Sequence, residues 1–206
     1  MDEIVDGYGD PVRAKQYRIC PKQQNPLFAD GIGDNNLMLV SDLTRWLGYL
    51  EHQSPQLLGV PTANVGKGGC TVFAQMVWDE QHVNLMGLPW CAVFVHAVIN
   101  RPDLLGRAHP GCKVLYRRMR KKGFLRGRDY KPAFGDLVFC ANNGWDLDHV
   151  AIILYCDENY VVSIDGNSVD QSGRFDKQEG GAVSIRKRRV ADGRIIGYAA
   201  IGKAVI

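Results

Sequence analysis

Residues 88–100, LPWCAVFVHAVIN, decide the fold. Pro89 has the fixed φ that suits a helix start, and the residues after it are apolar on every side. A helix without a polar stripe belongs at the centre of a domain, so a buried central helix is predicted to begin near Trp90. The apolar run LPWCAVFVHAVI is too short to cross a bilayer.

Toward the N-terminus, Leu43, Trp46, Leu47 and Leu50 fall at i, i+3, i+4 and i+7, with Ser41 as N-cap and Pro55 beyond the end. That spacing predicts an amphipathic helix. The turn-rich SPQLLGVPTANVGKGG (54–69) joins it to TVFAQMVWDE (71–80), where Phe73, Met76 and Val77 repeat at helical spacing. Downstream, residues 112–122 predict a basic helix: Val114, Leu115 and Met119 point inward, Arg117, Arg118, Arg120, Lys121 and Lys122 surround them, and Gly123 closes it.

After Pro132 the texture changes to short β-rich runs, DLVFCA, HVAIILYC, YVVSID, AVSIRKRRV and RIIGYAAIG, separated by turn residues. Helices first and strands afterwards imply an α+β domain with a meandering antiparallel sheet, not a doubly wound α/β fold. Residues 1–40, rich in Gly, Pro, Asp and Asn, read as an irregular arm, and 41–206 as the domain.

The composition of the 206-residue chain, 46% hydrophobic and 23% charged, excludes a mainly disordered or fibrous protein. A formal charge of +3 is too mild to point to specific nucleic-acid binding. The first residues carry no apolar run, so no signal peptide is read there and synthesis in the cytosol is expected. Six cysteines without a CxxC pair suggest buried free thiols, not a disulfide framework or zinc ribbon.

Cys91 is the candidate nucleophile, because a thiol at a helix N-terminus feels unpaired N–H groups and the positive end of the dipole. The alternative reading is a small buried hydrophobe. His149, at the start of HVAIILYC after a polar loop, is the candidate base. His96 reads as a satisfied core residue, and His52, His82 and His109 as solvated ones. A group that orients the imidazole is offered by either Asp165 or Asn167, although Asp, Gly and Asn are also what a plain turn needs.

Together these motifs resemble the CHAP family of cysteine amidohydrolases and peptidases, within the papain-like NlpC/P60 folds. The resemblance rests on LPWCAVFVHAVI, AFGDLVFC, DHVAIILY, VVSIDGNSVD and IIGYAAIG in that order, with GYLEHQS and TAN upstream, and covers about residues 41 to 202. It implies Cys91 as nucleophile, His149 as general base, Asp165 or Asn167 as orienting group, and a structural role for Gly135 and Asp136. Trp90 is expected to pack beside the thiol and line the substrate cleft.

The activity so implied is cleavage of an amide in bacterial peptidoglycan, as an N-acetylmuramoyl-L-alanine amidase or an endopeptidase. A phage-type lysin acting on the wall after release, and working as a monomer, is the expected setting. The alternatives are an intracellular thiol amidase or isopeptidase, and a non-catalytic papain-like binding module. Some family members hold calcium through Asp residues beside the cysteine, but QHVNLMGLPWCAV (81–93) has no acidic residue. Asp146 and Asp148 read as a solvated loop, and neither metal nor cofactor is expected.

Overall fold

Thr71 starts the first complete helix of the domain, α1 (Val72–Gln81): its hydroxyl accepts from the Ala74 N–H at 3.1 Å, and His82, at φ 52°, ends the helix in the left-handed region. The computed structural model describes residues 43–60, 68–141, 146–169 and 181–205. The expected arm over residues 1–40, the Ser41 cap and the TAN segment lie outside the described residues.

Helix α2 (Cys91–Ile99) is buried on nearly every side, as its uniform apolarity predicts. After it come a one-turn helix that the sequence did not announce, α3 (Pro102–Leu105), and the basic helix α4 (Cys112–Lys121), which buries Leu115 and Met119. A short α5 (Gly202–Val205) follows the last strand.

The expected helix over 41–50 is corrected. Leu43 and Thr44 are helical, but the chain then turns, and Gly48 at φ 82° sets a new direction. The backbone beyond it runs beside the edge of the sheet: Gly48 N–H donates to Val183 O at 3.0 Å, Val183 N–H to Tyr49 O at 2.9 Å, and Glu51 N–H to Gly181 O at 2.8 Å. Leu43 and Leu50 are buried in either geometry, so helical spacing alone did not reveal the turn.

The strands are β1 (Leu125–Arg126), β2 (Leu137–Cys140), β3 (His149–Cys156), β4 (Tyr160–Ser168), β5 (Ala182–Arg189) and β6 (Ile195–Ala199). They form one antiparallel sheet in the order β1-β6-β2-β3-β4-β5. The meander therefore holds from β2 to β5, whereas β6 returns to the far side of β2. Only residues 190–194 connect β5 to β6. Two tight turns fold this link, Asp192 N–H donating to Arg189 O at 2.9 Å and Ile195 N–H to Asp192 O at 3.1 Å, so it cannot span the four strand spacings of a flat sheet, about 19 Å, and the sheet curls.

The curl separates two apolar layers. Leu137, Phe139, Val150, Ile152 and Ile164 pack with α2 in the main core. Val138, Cys140, Ala151, Ile153, Val161 and Tyr198 fill the other, concave face. The protein is thus a mixed α+β fold, and no described helix is long and apolar enough to cross a membrane.

Two contacts lock the elements that carry the candidate site. Asp136, just ahead of β2, is buried and accepts from Tyr130 Oη at 2.9 Å, Ala133 N at 2.8 Å and Gly202 N at 2.7 Å, which ties the turn to α5. The G-D pair is structural here. On β4, Gly166 lies flat against α2, and a methyl there would overlap Phe94 and come within 3.0 Å of Trp90 Cζ3. Gly166→Ala is expected to cost about 1–3 kcal/mol by overpacking. Thermal unfolding checks this, and an unchanged Tm would show that α2 and β4 can separate freely.

Candidate active site

Cys91 is the first residue of α2, and Trp90 caps the helix without a side-chain hydrogen bond. The sequence puts the thiol there through Gly87, at φ 75°, and Pro89, which stop the preceding chain from continuing as helix. Trp90 is itself buried, 1% exposed. Its ring stacks on Phe73 at 5.6 Å and its Nε1–H donates to Glu51 Oε2 at 2.5 Å. The expected cleft wall is therefore corrected: the indole is a core brace that links the helix start to residue 51, too deep to face solvent.

The Cys91 thiol is also buried. Amide N–H groups of Ala92 and Val150 point at its sulfur and favour the thiolate. A hydrogen bond with the Cys112 thiol, followed by burial, outweighs them and pushes Cys91 well above the usual thiol range. Cys112, the first residue of α4, is shifted the other way, because Cys91 donates to it and its own helix start supports a negative sulfur. Its Sγ also lies 3.8 Å from Leu147 O.

Cys112 was missed in the sequence, where only its place at the start of a predicted helix hinted at a role. Cys112→Ala removes the group that competes for the Cys91 proton. Alkylation of Cys91 by iodoacetamide near neutral pH, followed by peptide mass spectrometry, is expected to accelerate several-fold. An unchanged rate would show that burial alone restrains the thiol.

His149 opens β3, opposite Cys140 of β2. Strand alternation sends its imidazole to the face of Ala151 and Ile153, while Val150 and Ile152 face α2. Its Nε2 meets Asp165 Oδ2 at 2.8 Å, and the two side chains are 8% and 0% exposed. Asp165 therefore supplies the contact that the sequence left open between two residues. Asn167 sits in the bulge of β4 at φ 53°, half-buried, with no hydrogen bond to His149.

The Asp165 carboxylate has further partners that were not anticipated. Ser163 Oγ donates to Oδ1 at 2.6 Å, and Arg188 Nη2 donates to Oδ2 at 2.5 Å. Burial alone would raise this carboxyl, but the Arg188 charge and the bonds from His149 and Arg188 hold it far below the usual carboxylate range. These residues come together on the concave face, and Cys91 touches β3 from the α2 side at the Val150 amide. Among the described residues no hydrogen bond joins Cys91 to His149.

Two other histidines differ from expectation. His52 is buried, not solvated, because it bridges to Cys70, its N–H donating to Cys70 O at 2.7 Å, and its Nε2 has no partner. His96 is buried in α2, but its Nε2 is also unpartnered. Burial, then the nearby Arg118 and His109, push it down to about 4. His82 and His109 are exposed, as read.

No family model matches this chain, and no curated protein matches it. The resemblance to CHAP enzymes rests on the sequence motifs alone. Asp146 pairs with Lys113 of α4. Among the described residues no group of three or more His, Cys, Asp and Glu side chains is placed to hold a metal ion.

Proposed function

We propose that the protein is a papain-like, CHAP-type cysteine hydrolase that cleaves an amide bond in bacterial peptidoglycan. The observation that carries this reading is the His149–Asp165 hydrogen bond at the strand end that Cys91 also touches. With Nε2 committed to Asp165, Nδ1 is the nitrogen left to accept a proton.

In this mechanism the Cys91 thiol leaves its Cys112 partner as substrate enters and meets His149 around the start of β3, because the imidazole rests on the face of that strand opposite α2. His149 takes the thiol proton and the sulfur attacks the carbonyl carbon. The Cys91 backbone N–H at the helix start holds the oxyanion. The C–N bond breaks as His149 returns the proton to the leaving amine, which leaves a thioester on Cys91. Water, deprotonated by His149, then releases the acid and restores the thiol.

The substrate in this reading is bacterial wall, met by the protein as a monomer of the phage-lysin kind. The test is mass spectrometry of fragments released from purified peptidoglycan, with Cys91→Ala run in parallel. Stem peptides beginning with L-alanine mark an amidase, and cuts within the stem or cross-bridge mark an endopeptidase. No fragments from several wall types would overturn the proposal, and cleavage of soluble peptide amides alone would move the substrate inside the cell.

A second reading, a scaffold of the same kind that binds without cleaving, is favoured by the absence of a Cys91–His149 hydrogen bond. It requires wall binding that is unchanged in Cys91→Ala, with no fragments released by either protein.

A further inference from the structure

A buried carboxylate needs a cation or several hydrogen bonds to match it, and where a His–Asp pair has neither, the carboxylate draws the imidazole toward its protonated form. An imidazole that is already protonated cannot take a proton from a thiol. The concave face of this sheet holds a second cation. Arg188 stands opposite Val161 on β5 and reaches along the strand past Ser163 to Asp165. Its Nη2 meets Asp165 Oδ2 at 2.5 Å, and its Nη1 meets Ser163 Oγ at 2.7 Å and Asp165 Oδ1 at 3.4 Å. Ser163 closes the ring by donating to Oδ1 at 2.6 Å. The Arg188 side chain is only 9% exposed, so the pairing is little screened by water.

We infer that Arg188 is a positioning residue that supplies the permanent positive charge for Asp165, so that His149 rests neutral and remains able to accept a proton. Ser163 completes the device by fixing the carboxylate in the one orientation that presents Oδ2 to His149 Nε2. The inference rests on the reading of His149 as general base. It also fits the nucleophile: a thiol pushed up by Cys112 and burial reaches its substrate protonated and needs an empty base. The other titratable and charged groups around this face are Cys140 on β2, which burial pushes up to about 11, Tyr198 on β6, which burial pushes up to about 12, Asp148 ahead of β3, Asp192 and Arg194 in the turn after β5, and Arg186, opposite Ser163 on β5. Arg188 is the one guanidinium hydrogen-bonded to Asp165 among the described residues.

The experiment is imidazole 15N and 13C NMR on the full chain, with the His149 signals assigned from His149→Gln. In the wild type near pH 7 the neutral tautomer with the proton on Nε2 is expected. An imidazolium there would overturn the inference without any variant of Arg188. In Arg188→Gln the titration midpoint of His149 is expected to move up by about one pH unit or more, as when a cation beside a titrating pair is withdrawn. The acid limb of kcat/KM should move with it. Arg188→Lys, which keeps the charge but not the fork, should hold the midpoint near the wild-type value. A folded Arg188→Gln with an unmoved midpoint would refute the role. If the NMR results hold but no wall is cleaved, the hydrolase reading fails and the Arg188 role stands.

Discussion

Cys91→Ala is expected to leave a folded protein whose kcat/KM on purified peptidoglycan is at least about ten-thousand-fold lower. The size follows from what the sulfur does in the proposed reaction: it forms the bond to carbon, and no neighbouring group can take over from the same position. Cys112 is the one thiol bonded to it, but it begins a different helix and lies against Leu147 O. The structural cost is small, about 1 kcal/mol, because alanine suits a helix start and the atoms around Cys91 are mostly apolar. Cys91→Ser keeps the shape but offers a hydroxyl that His149 deprotonates poorly, so it should be nearly as slow. Release of the same fragments at a rate within tenfold of wild type by Cys91→Ala would rule out this residue as nucleophile.

The legible parts of the fold were those where one physical pattern dominates. The helix from Cys91 was visible because Pro89 and an unbroken apolar run leave no other interpretation, and Thr71 and Gly123 mark ends that local chemistry sets. The five strand runs from Leu137 to Ala199 follow from β-branched and aromatic residues between turn signals. The turn at Gly48 was hidden because a buried edge segment and an amphipathic helix ask for apolar residues at similar spacings. The two-residue β1 carries too little pattern to be read, and the place of β6 beside β2 depends on the curl of the whole sheet.

The candidate site divides in the same way. Cys91 and His149 have local signatures, one at a helix start and one at a strand start. The choice of Asp165 over Asn167 is made by alternation and by a bulge, both set by pairing across strands. Arg188 left no trace and Cys112 only its place at a predicted helix start, because their roles exist only through partners distant in the chain, and an arginine in a strand reads the same whether it faces solvent or a buried carboxylate. Trp90 was misplaced for a related reason: an aromatic beside a nucleophile suits a cleft wall or a core brace equally, until Glu51 and Phe73 are found around it.

Asp165→Ala should be the most destabilising single change in the site, and it separates stability from catalysis. It leaves the Arg188 guanidinium buried without its anion, a loss of about 3–5 kcal/mol, which is a large share of the stability of an ordinary domain. Asp165→Ala/Arg188→Met removes both charges and should recover most of that loss, because a well-packed apolar pair often replaces a buried ion pair at little cost. Activity should not recover: the imidazole has lost the acceptor that holds its tautomer, and a rate about a thousand-fold or more below wild type is expected from both variants. The carboxyl of Asp165 is held below its unfolded value near 3.9 despite its burial, through Arg188 and His149. Its contribution is therefore complete above about pH 4 and is lost as pH falls from there through the lower folded value. The wild type should lose Tm along that acid limb more steeply than the double variant. Equal acid limbs, or a double variant as active as wild type, would remove Asp165 from the proposed machinery.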